Sequence, residues 1–267
     1  MYSLRKFNGR TGNIGQPLPD VFPSFALARM TFRHGATSMI AGPPGSFKSV
    51  LALNLMVAWA MAGKSILYFS ADSDEFTVAK RVCGILTGDD SDTFEANTSN
   101  GRAERYTSVL GSLDQVQFVY KQPDMDSIAR HVAAFEAVHG TYPDVIFVDN
   151  LIDTVEDPTD WGGMITMIRD LDGMARETQA HICVLHHASE SWSKDHPGKP
   201  PPSWAIQGKV TQLSRLVLTV GNSGMALFLA CVKNTNGPQD REARVILQFL
   251  VGPNMQVEDV SFRRDSR

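Results

Sequence analysis

The chain has few cysteines, little net charge and no long hydrophobic run, and each shortage excludes a class of protein. Its 3 cysteines stand apart in apolar surroundings, which argues against a disulfide framework or a cysteine-rich zinc site. The formal net charge of −4 gives no overall attraction to nucleic acid or to an anionic membrane, so any DNA contact needs a local basic patch. The apolar run at residues 50–62 is too short to span a bilayer and no signal peptide is evident, so we expect a cytoplasmic protein with no membrane partner.

What remains is the composition of an α/β protein. Hydrophobic residues make up 43% of the 267 positions and charged residues 20%, which is enough apolar material for a large core. Residues 1–35 are rich in glycine, proline and polar residues and are expected to form an N-terminal arm or lead-in. A partly ordered tail and a contact with a neighbouring subunit both remain open for this segment. We expect one main domain at residues 36–251 and a C-terminal tail at residues 252–267.

One stretch has the form of a phosphate-binding loop, with phenylalanine where the last glycine usually stands. Its residues are Gly42, Pro43, Pro44, Gly45, Ser46, Phe47, Lys48 and Ser49. In such a loop, consecutive backbone N–H groups surround the phosphates, the lysine bridges the outer ones, and the serine hydroxyl ligates Mg²⁺. A short apolar strand at residues 38–41 precedes the loop and an apolar helix at residues 49–62 follows it, so the helix N-terminus would face the phosphates. The pattern predicts nucleotide binding.

Two acidic residues follow predicted buried strands. Asp72 comes two residues after a strand at residues 65–70, and Asp149 closes an apolar strand at residues 144–149. Because ligands bind beyond the carboxyl ends of strands in open α/β sheets, both carboxylates are expected beside the phosphates. We assign Asp72 to the attacking water and Asp149 to Mg²⁺. Asp74 and Glu75, by contrast, are better explained as acids at the start of a helix over residues 76–86.

Further elements alternate along the chain. Strands are expected at residues 115–120, 182–185, 215–220, 226–232 and 244–251, the last two as a hairpin-like pair, and helices at residues 126–138, 161–178 and 208–213. The strand at residues 182–185 ends in His186 and His187. Since neighbouring residues of a strand face opposite ways, only one of these histidines can point at the γ-phosphate.

Two polar segments are expected to lack regular structure. Residues 87–105 show no periodicity and are predicted to form a mobile surface loop, and residues 188–207 a long flexible loop. The second segment, with its C-terminal flank, supplies the candidate DNA contacts, which are Trp192, Lys194, Lys199 and Lys209. Lysine and tryptophan suit a single strand of nucleic acid through phosphate contacts and base stacking, although an ordinary surface loop explains the composition equally well.

Taken in order, these motifs resemble the RecA-like ATPase core. Within it they are most similar to the single-domain hexameric replicative helicases of plasmids and the DnaB-like ATPases of phages, mycobacteriophages in particular. The matching stretches are residues 42–49, 68–72, 147–150, 185–189 and 233–238. The resemblance implies an α/β P-loop NTPase core with a mostly parallel twisted sheet, flanking helices and a C-terminal antiparallel hairpin. It also implies ATP and Mg²⁺ as cofactors, single-stranded or forked DNA as partner, and a homo-oligomeric ring, expected to be a hexamer. The implied role is DNA replication or recombination in the cytoplasm of a bacterial host.

The resemblance implies roles for individual residues as well. It agrees with the assignments of the phosphate loop and of the metal-side acid. Asp72 falls at the position of the family's catalytic glutamate, and His187 at the position that senses the γ-phosphate. Residues 188–207 correspond to the loop that faces the channel of the ring. Lys233 falls where a neighbouring subunit inserts a cation into the ATP site, a role that requires a ring.

Three positions depart from the family pattern. Phe47 replaces a glycine and adds bulk close to the nucleotide. Asp72 is one methylene shorter than glutamate, so hydrolysis is expected to be slow or to use an extra water. Thr235 stands where relatives carry an arginine finger, a residue worth about 10³–10⁵ in rate in GTPases. Arg241 and Arg244 are the candidates to compensate for it.

Two other function classes remain open from the sequence. Asp72, Asp74, Asp149 and Asp153 together suit a structure-specific DNA nuclease that uses two metals. A nucleotide-gated, DNA-binding recombination mediator with weak ATPase activity also agrees with the motifs, because one fold hosts many functions.

Overall fold

The fold is built on one nine-stranded sheet. The computed structural model describes residues 15–155, 157 and 159–261, with the side chain of Lys209 excepted. The strand order across the sheet is β3-β2-β4-β5-β1-β6-β7-β8-β9. The strands are β1 Thr37–Gly42, β2 Ile66–Ser70, β3 Val116–Val119, β4 Val145–Asp149, β5 His181–His187, β6 Leu216–Ser223, β7 Ala226–Asn234, β8 Leu247–Val251 and β9 Val257–Asp259. The ladders among β1 to β6 are parallel and those from β6 to β9 antiparallel, which confirms the expected fold class.

Helices cover both faces of this sheet. They are α1 Pro23–Leu27, α2 Lys48–Met61, α3 Glu75–Thr87, α4 Ser91–Ser99, α5 Glu104–Gly111, α6 Met125–His139, α7 Trp161–Thr178 and α8 Glu190–Asp195, with 3-10 turns at Leu151–Thr154, Ser203–Ala205 and Gln207–Gln212. Aspartate side chains that accept a backbone N–H three residues on begin four of the helices, at Asp74, Asp90, Asp124 and Asp160. None of the helices in the described part of the chain combines the length and apolarity that crossing a membrane requires.

The central parallel strands are apolar on both faces because each face carries its own core. In β1, Ile40 packs on the side of α2, whereas Met39 and Ala41 pack on the side of α6 and α7. The same alternation runs through β2 and β4, so these strands have no solvent-facing side. Helix α2 is buried nearly all round, as its apolar sequence requires. The result is a rigid support for whatever follows the carboxyl ends of the strands.

Residues 87–105 were expected to form a loop, and that expectation is wrong. The structure places α4 and the start of α5 there. Each helix contributes a single large buried side chain, Phe94 and Tyr106, whose rings lie 4.6 Å apart against Cys83. One buried residue per helix gives no apolar periodicity, so the pattern of the sequence resembled a loop.

Residues 188–207 form an anchored segment where a flexible loop was expected. Ser189 caps α8 through the Trp192 N–H, and the three prolines at residues 200–202 are buried. A Cβ atom on Gly221 would lie 2.5 Å from the backbone carbonyl of Lys199, so the segment packs directly on the end of β6. The composition of the segment does not show these contacts, which depend on how it packs against β6.

Both ends of the described chain join the core. Phe22 and Phe25 pack against Phe249 of β8, and the Trp59 indole donates to the carbonyl of Pro19. Strand β9, in the segment expected to be a tail, pairs with β8. The first 14 residues and the basic end at residues 263–267 lie outside the described residues, and the three-part division of the chain stays a prediction.

Candidate nucleotide-binding site

The phosphate loop begins where β1 ends and is held by tight backbone packing. A Cβ atom on Gly42 would lie 2.5 Å from the carbonyl oxygen of Val220 and 2.7 Å from Ser46 Oγ, so only glycine fits there. Gly45 and Phe47 both have left-handed backbones, with φ of 73° and 63°. Helix α2 starts at Lys48, and its N-terminus therefore points at the loop. Phe47 thus adopts the conformation for which glycine is usually required.

The loop forms one wall of a cavity of about 350 Å³ at the carboxyl edge of the sheet. Asp72 and His187, both expected at a phosphate site, line the same cavity. They arrive there because β1, β2, β4 and β5 run parallel and end at one edge. The remaining lining residues are Pro44, Gly45, Ser46, Phe47, Lys48, Ser49, Val50, Ser73, Arg81, Asn150 and Met255.

The Lys48 ammonium lies inside the phosphate loop. Its Nζ donates to the carbonyl oxygens of Gly42, at 3.1 Å, and Pro43, at 2.9 Å. Burial lowers the pKa of Lys48 to about 8, and the carboxylates of Asp149 and Asp72 oppose that shift. An ammonium with only carbonyl partners can turn towards a phosphate oxygen at little cost.

Asp149 lies beneath the loop and is 4% exposed. The Tyr68 hydroxyl donates to its Oδ2 at 3.0 Å, while Oδ1 is buried and has no hydrogen-bond partner among the described residues. Burial raises the pKa of Asp149 to about 6, and the nearby hydroxyls of Ser49 and Tyr68 oppose the shift. A carboxylate oxygen without a partner beside a serine hydroxyl fits Mg²⁺, which takes one or two protein oxygens and completes its shell with water and phosphate.

A polar chain links Asp72 to the end of β4. The Asn150 amide donates to Asp72 Oδ2, and the Asn150 backbone N–H donates to Asp153 at 3.2 Å. Asp74 instead caps α3, accepting from the Thr77 N–H and hydroxyl at 2.9 and 2.6 Å. Within the described ranges, no group of three or more histidine, cysteine or acidic side chains is placed to hold a metal. Among the described residues, the four acids considered for a two-metal nuclease therefore do not form a group that could hold a metal.

The two histidines at the end of β5 separate as strand geometry requires. His186 is fully buried, its Nε2 lies 3.1 Å from the carbonyl oxygen of Gln207, and burial lowers its pKa to about 4. His187 lines the cavity, and burial followed by the Lys48 charge lowers its pKa. The pair thus joins the cavity to the segment that begins at Ala188.

Five lining residues were missed in the sequence, and two of them, Val50 and Ser73, directly follow the assigned Ser49 and Asp72. Asn150 directly follows Asp149, so its position after a buried strand already indicated that it lies at the cavity. Arg81 lies on α3, nine positions after Asp72, and an amphipathic reading of that helix places it on the inner side. Met255 belongs to the turn between β8 and β9 and has a φ of 63°. Its separation from the loop by about 200 residues leaves no local sequence signal.

Lys233 lies away from this cavity. It stands near the end of β7, which runs antiparallel to β6 and so ends at the opposite edge of the sheet. Its Nζ donates to the carbonyl oxygens of Thr211 and Gln212 at 2.9 and 2.7 Å. Lys233 therefore cannot reach the phosphate loop of its own chain.

Two of the candidate DNA contacts in the segment after His187, Trp192 and Lys194, have partners within the chain. Trp192 stacks on His196 with ring centroids 4.6 Å apart, and Lys194 lies 3.8 Å from Glu190. Lys199 is exposed. The side chain of Lys209 lies outside the described residues.

Comparison with known proteins places the chain in a family. The model of the AAA domain matches residues 27–193. The Gene 65 protein of Mycobacterium phage L5 is 31% identical over 97% of this chain and 99% of its own length, and that of Mycobacterium phage D29 is 31% identical over 83% and 98%.

Solved structures share the fold. A solved ATPase domain superimposes with a TM-score of 0.77 at 13% identity, over 96% of this chain and 95% of that one. A DnaB-like replicative helicase gives the same TM-score and identity over 95% of this chain, which spans 64% of the helicase. A KaiC-like protein from Pyrococcus horikoshii OT3 reaches 0.62 at 13% identity, over 92% and 99% of the two chains. The chain therefore belongs to the AAA domain family and has the RecA-like P-loop fold, with the Gene 65 proteins of mycobacteriophages among its relatives.

Proposed function

We propose that the chain is a Mg²⁺-dependent ATP hydrolase that acts on single-stranded or forked DNA as a homo-oligomeric ring, expected to be a hexamer. One observation carries the enzymatic part of this proposal. The Lys48 ammonium and the side chains of Asp72 and His187 line one cavity at the N-terminus of α2. The buried Asp149, whose Oδ1 has no partner among the described residues, lies close enough to Lys48 and Asp72 to interact with their charges. These are the groups that phosphoryl transfer needs, and the reaction depends mainly on positioning and charge.

The roles follow from the contacts. The loop N–H groups and Lys48 hold the triphosphate, while Ser49 and Asp149 hold Mg²⁺, which when bound neutralises charge on the β- and γ-phosphate oxygens. Asp72 accepts a hydrogen bond from, and orients, the attacking water, and the Asn150 amide fixes the carboxylate of Asp72. His187 lines the cavity and directly precedes residues 188–207, so loss of the γ-phosphate on hydrolysis would be passed to that segment through His187.

The ring is supported by the position of Lys233. Its distance from the cavity in its own chain agrees with a role at the ATP site of a neighbouring subunit, and that role would require its ammonium to leave two carbonyl oxygens. The structural likeness to a DnaB-like replicative helicase supports DNA as the partner.

A recombination mediator with weak ATPase activity is the second candidate. It is favoured by Thr235 at the arginine-finger position and by the shorter acid at Asp72. Its signature would be DNA binding that depends on bound nucleotide, with slow turnover and no unwinding.

The test is the rate of ATP hydrolysis with and without single-stranded DNA, measured together with the mass of the particle in solution. Lys48→Ala is expected to abolish turnover because the outer phosphates lose their cation. Lys80→Ala is the matched control, since Lys80 pairs with Glu95 at 2.7 Å outside the cavity, and it should leave the rate unchanged. Undiminished turnover in Lys48→Ala would remove the site assignment, and a monomeric mass under all nucleotide conditions would remove the ring.

A further inference from the structure

One large aromatic side chain stands out on the segment that follows His187. Trp204 is 66% exposed and belongs to the 3-10 turn Ser203–Ala205. Its indole Nε1 lies 3.5 Å from Glu242 Oε2, the outer limit of a hydrogen bond. Tryptophan offers more apolar contact area than other side chains, and its exposed face is therefore available to a partner.

The turn that carries Trp204 is firmly held. The Ser203 N–H donates to the carbonyl of Arg241, and the Ser189 N–H to that of Ala205, both at 2.8 Å. Ala188 and Ile206 form an isolated antiparallel bridge. Scattered apolar residues on a surface are ordinary, but here the backbone that carries the indole is already held, so little backbone entropy is lost when a flat partner binds.

The same segment is connected to the phosphate loop. The Ala188 N–H donates to the carbonyl oxygen of Gly42 at 3.2 Å, and the same oxygen accepts from Lys48 Nζ. A ligand on Trp204 therefore binds to a segment whose first residue contacts the loop.

The segment has little capacity to bind phosphates. Residues 188–207 hold two lysines and two acids, namely Lys194, Lys199, Glu190 and Asp195, which balance. Lys194 is paired with Glu190, and Trp192 is already stacked on His196. The whole chain has a net charge of −4. Within residues 188–207, aromatic stacking is therefore the stronger interaction; the exposed Arg241 and Arg244 belong to the adjoining turn.

We infer that Trp204 stacks on an unpaired base of single-stranded DNA, and that this contact, more than contacts to phosphates, gives the strand its affinity. The inference rests on the proposed function and specifies its substrate. Bases in a duplex are stacked on each other and do not offer a free face, whereas each base of a single strand does, whatever its identity. Binding should be tolerant of sequence, selective for single strands, and only weakly dependent on salt.

The test is fluorescence anisotropy of labelled strands with the full-length protein. An oligothymidylate of about 12 nucleotides is compared with an abasic strand of the same length and charge. Trp204→Ala should weaken oligothymidylate binding by about tenfold and leave the abasic strand unchanged, and Trp204→Phe should recover part of the loss. Leu27→Ala is the control, because Leu27 is 68% exposed on α1, and it should bind like the wild type. For the wild type, raising salt from about 50 to 200 mM should cost less than about tenfold in affinity.

Each other outcome overturns the inference in a distinguishable way. Equal affinity of the wild type and Trp204→Ala for oligothymidylate, or equal affinity of the wild type for the thymidine and abasic strands, would remove the stacking contact but leave a DNA-binding ATPase. A change in particle mass in Trp204→Ala would assign the residue to a contact between copies of the chain. A wild type that binds neither strand under any nucleotide condition would remove DNA from the proposed function as well.

Discussion

The two edges of the sheet hold similar polar residues that differ in how far their hydrogen bonds are made within the chain. At the amino edge, Asp144 accepts from the Ser65 N–H and hydroxyl at 3.0 and 3.3 Å, and His181 contacts Ser38 Oγ and the carbonyl of Arg33, both at 2.9 Å. At the carboxyl edge, several buried polar atoms have no partner among the described residues; they are Ser46 Oγ, Asp149 Oδ1, Asn150 Oδ1 and His187 Nδ1.

The difference separates residues that stabilise the fold from residues that are available to a ligand. A buried polar atom without a hydrogen bond costs about 1–3 kcal/mol, so a group of them at one place is expensive for the folded state. The amino edge pairs Asp144 and His181 with neighbouring residues, and its buried unpartnered atoms among the described residues are Gln179 Oε1 and Ser214 Oγ. The unpartnered atoms at the carboxyl edge remain available to a ligand.

Replacing one aspartate by asparagine at each edge compares the two edges, and the largest expected effect is at Asp149. Asp149→Asn keeps an oxygen for the Tyr68 hydroxyl and removes the charge, so ATP turnover should fall by about a hundredfold or more. The free energy of unfolding should stay the same or rise, since a buried carboxylate is removed. Steady-state ATPase assays and urea unfolding measure the two quantities.

Asp144→Asn is the matched control at the amino edge. It should lower the free energy of unfolding by about 1 kcal/mol, because a hydrogen bond to Ser65 is weakened, and leave turnover unchanged. Equal loss of turnover in both variants would end the distinction between the edges.

A second test uses pH at the amino edge. Burial lowers the pKa of His181 from 6.5 to about 4. A group whose pKa is lower in the folded state contributes stability that is complete above the unfolded pKa and is lost as pH falls through the folded pKa. At 1.36 kcal/mol per unit, His181 should cost the protein up to about 3 kcal/mol between pH 6.5 and 4.

Urea unfolding at pH 7 and pH 4.5 checks this expectation. His181→Gln should be less stable than the wild type at pH 7 and should lose less stability on acidification. The same loss in both proteins would show that His181 is not held in its neutral form.

The smallest expected effect is at Phe47. Phe47→Gly relieves a left-handed backbone worth about 1–2 kcal/mol, but it loses the packing of a half-buried ring and gains freedom in the unfolded chain. These contributions nearly cancel, so the free energy of unfolding should change by less than about 1 kcal/mol. Phe47→Ala loses the ring and keeps the strain, and urea unfolding should show it to be the less stable variant. Equal stability of the two would mean that the backbone at this position is not strained.

The sequence predicted which residues meet at the cavity, and the roles of those residues stay predictions. The strand, loop and helix around Lys48 are contiguous, and the position of Asp72 and His187 at the same cavity follows from one rule about the ends of parallel strands. Short continuous apolar runs placed the central strands to within a few residues. Patterns of this kind depend only on residues close together in the sequence, so they can be recognised without knowing the rest of the fold.

The parts that escaped prediction depend on contacts between distant segments. Met255 reaches the cavity from the turn after β8, and nothing near residue 255 indicates a neighbour at residue 47. Trp192 was predicted to contact DNA and Lys233 to reach a neighbouring ATP site. In the structure Trp192 stacks on His196 and Lys233 donates to the carbonyl of Thr211, contacts that the residue types alone do not indicate. Helices α4 and α5 each bury one aromatic ring, too little for a periodic signal.

The central claim is that a triphosphate binds at the N-terminus of α2. A crystal structure of the protein with Mg²⁺ and a non-hydrolysable ATP analogue tests it most directly. The account predicts the γ-phosphate between Lys48 and His187, with the metal between Ser49 and Asp149. An analogue bound elsewhere, with the ring of Phe47 filling the phosphate loop, would contradict it.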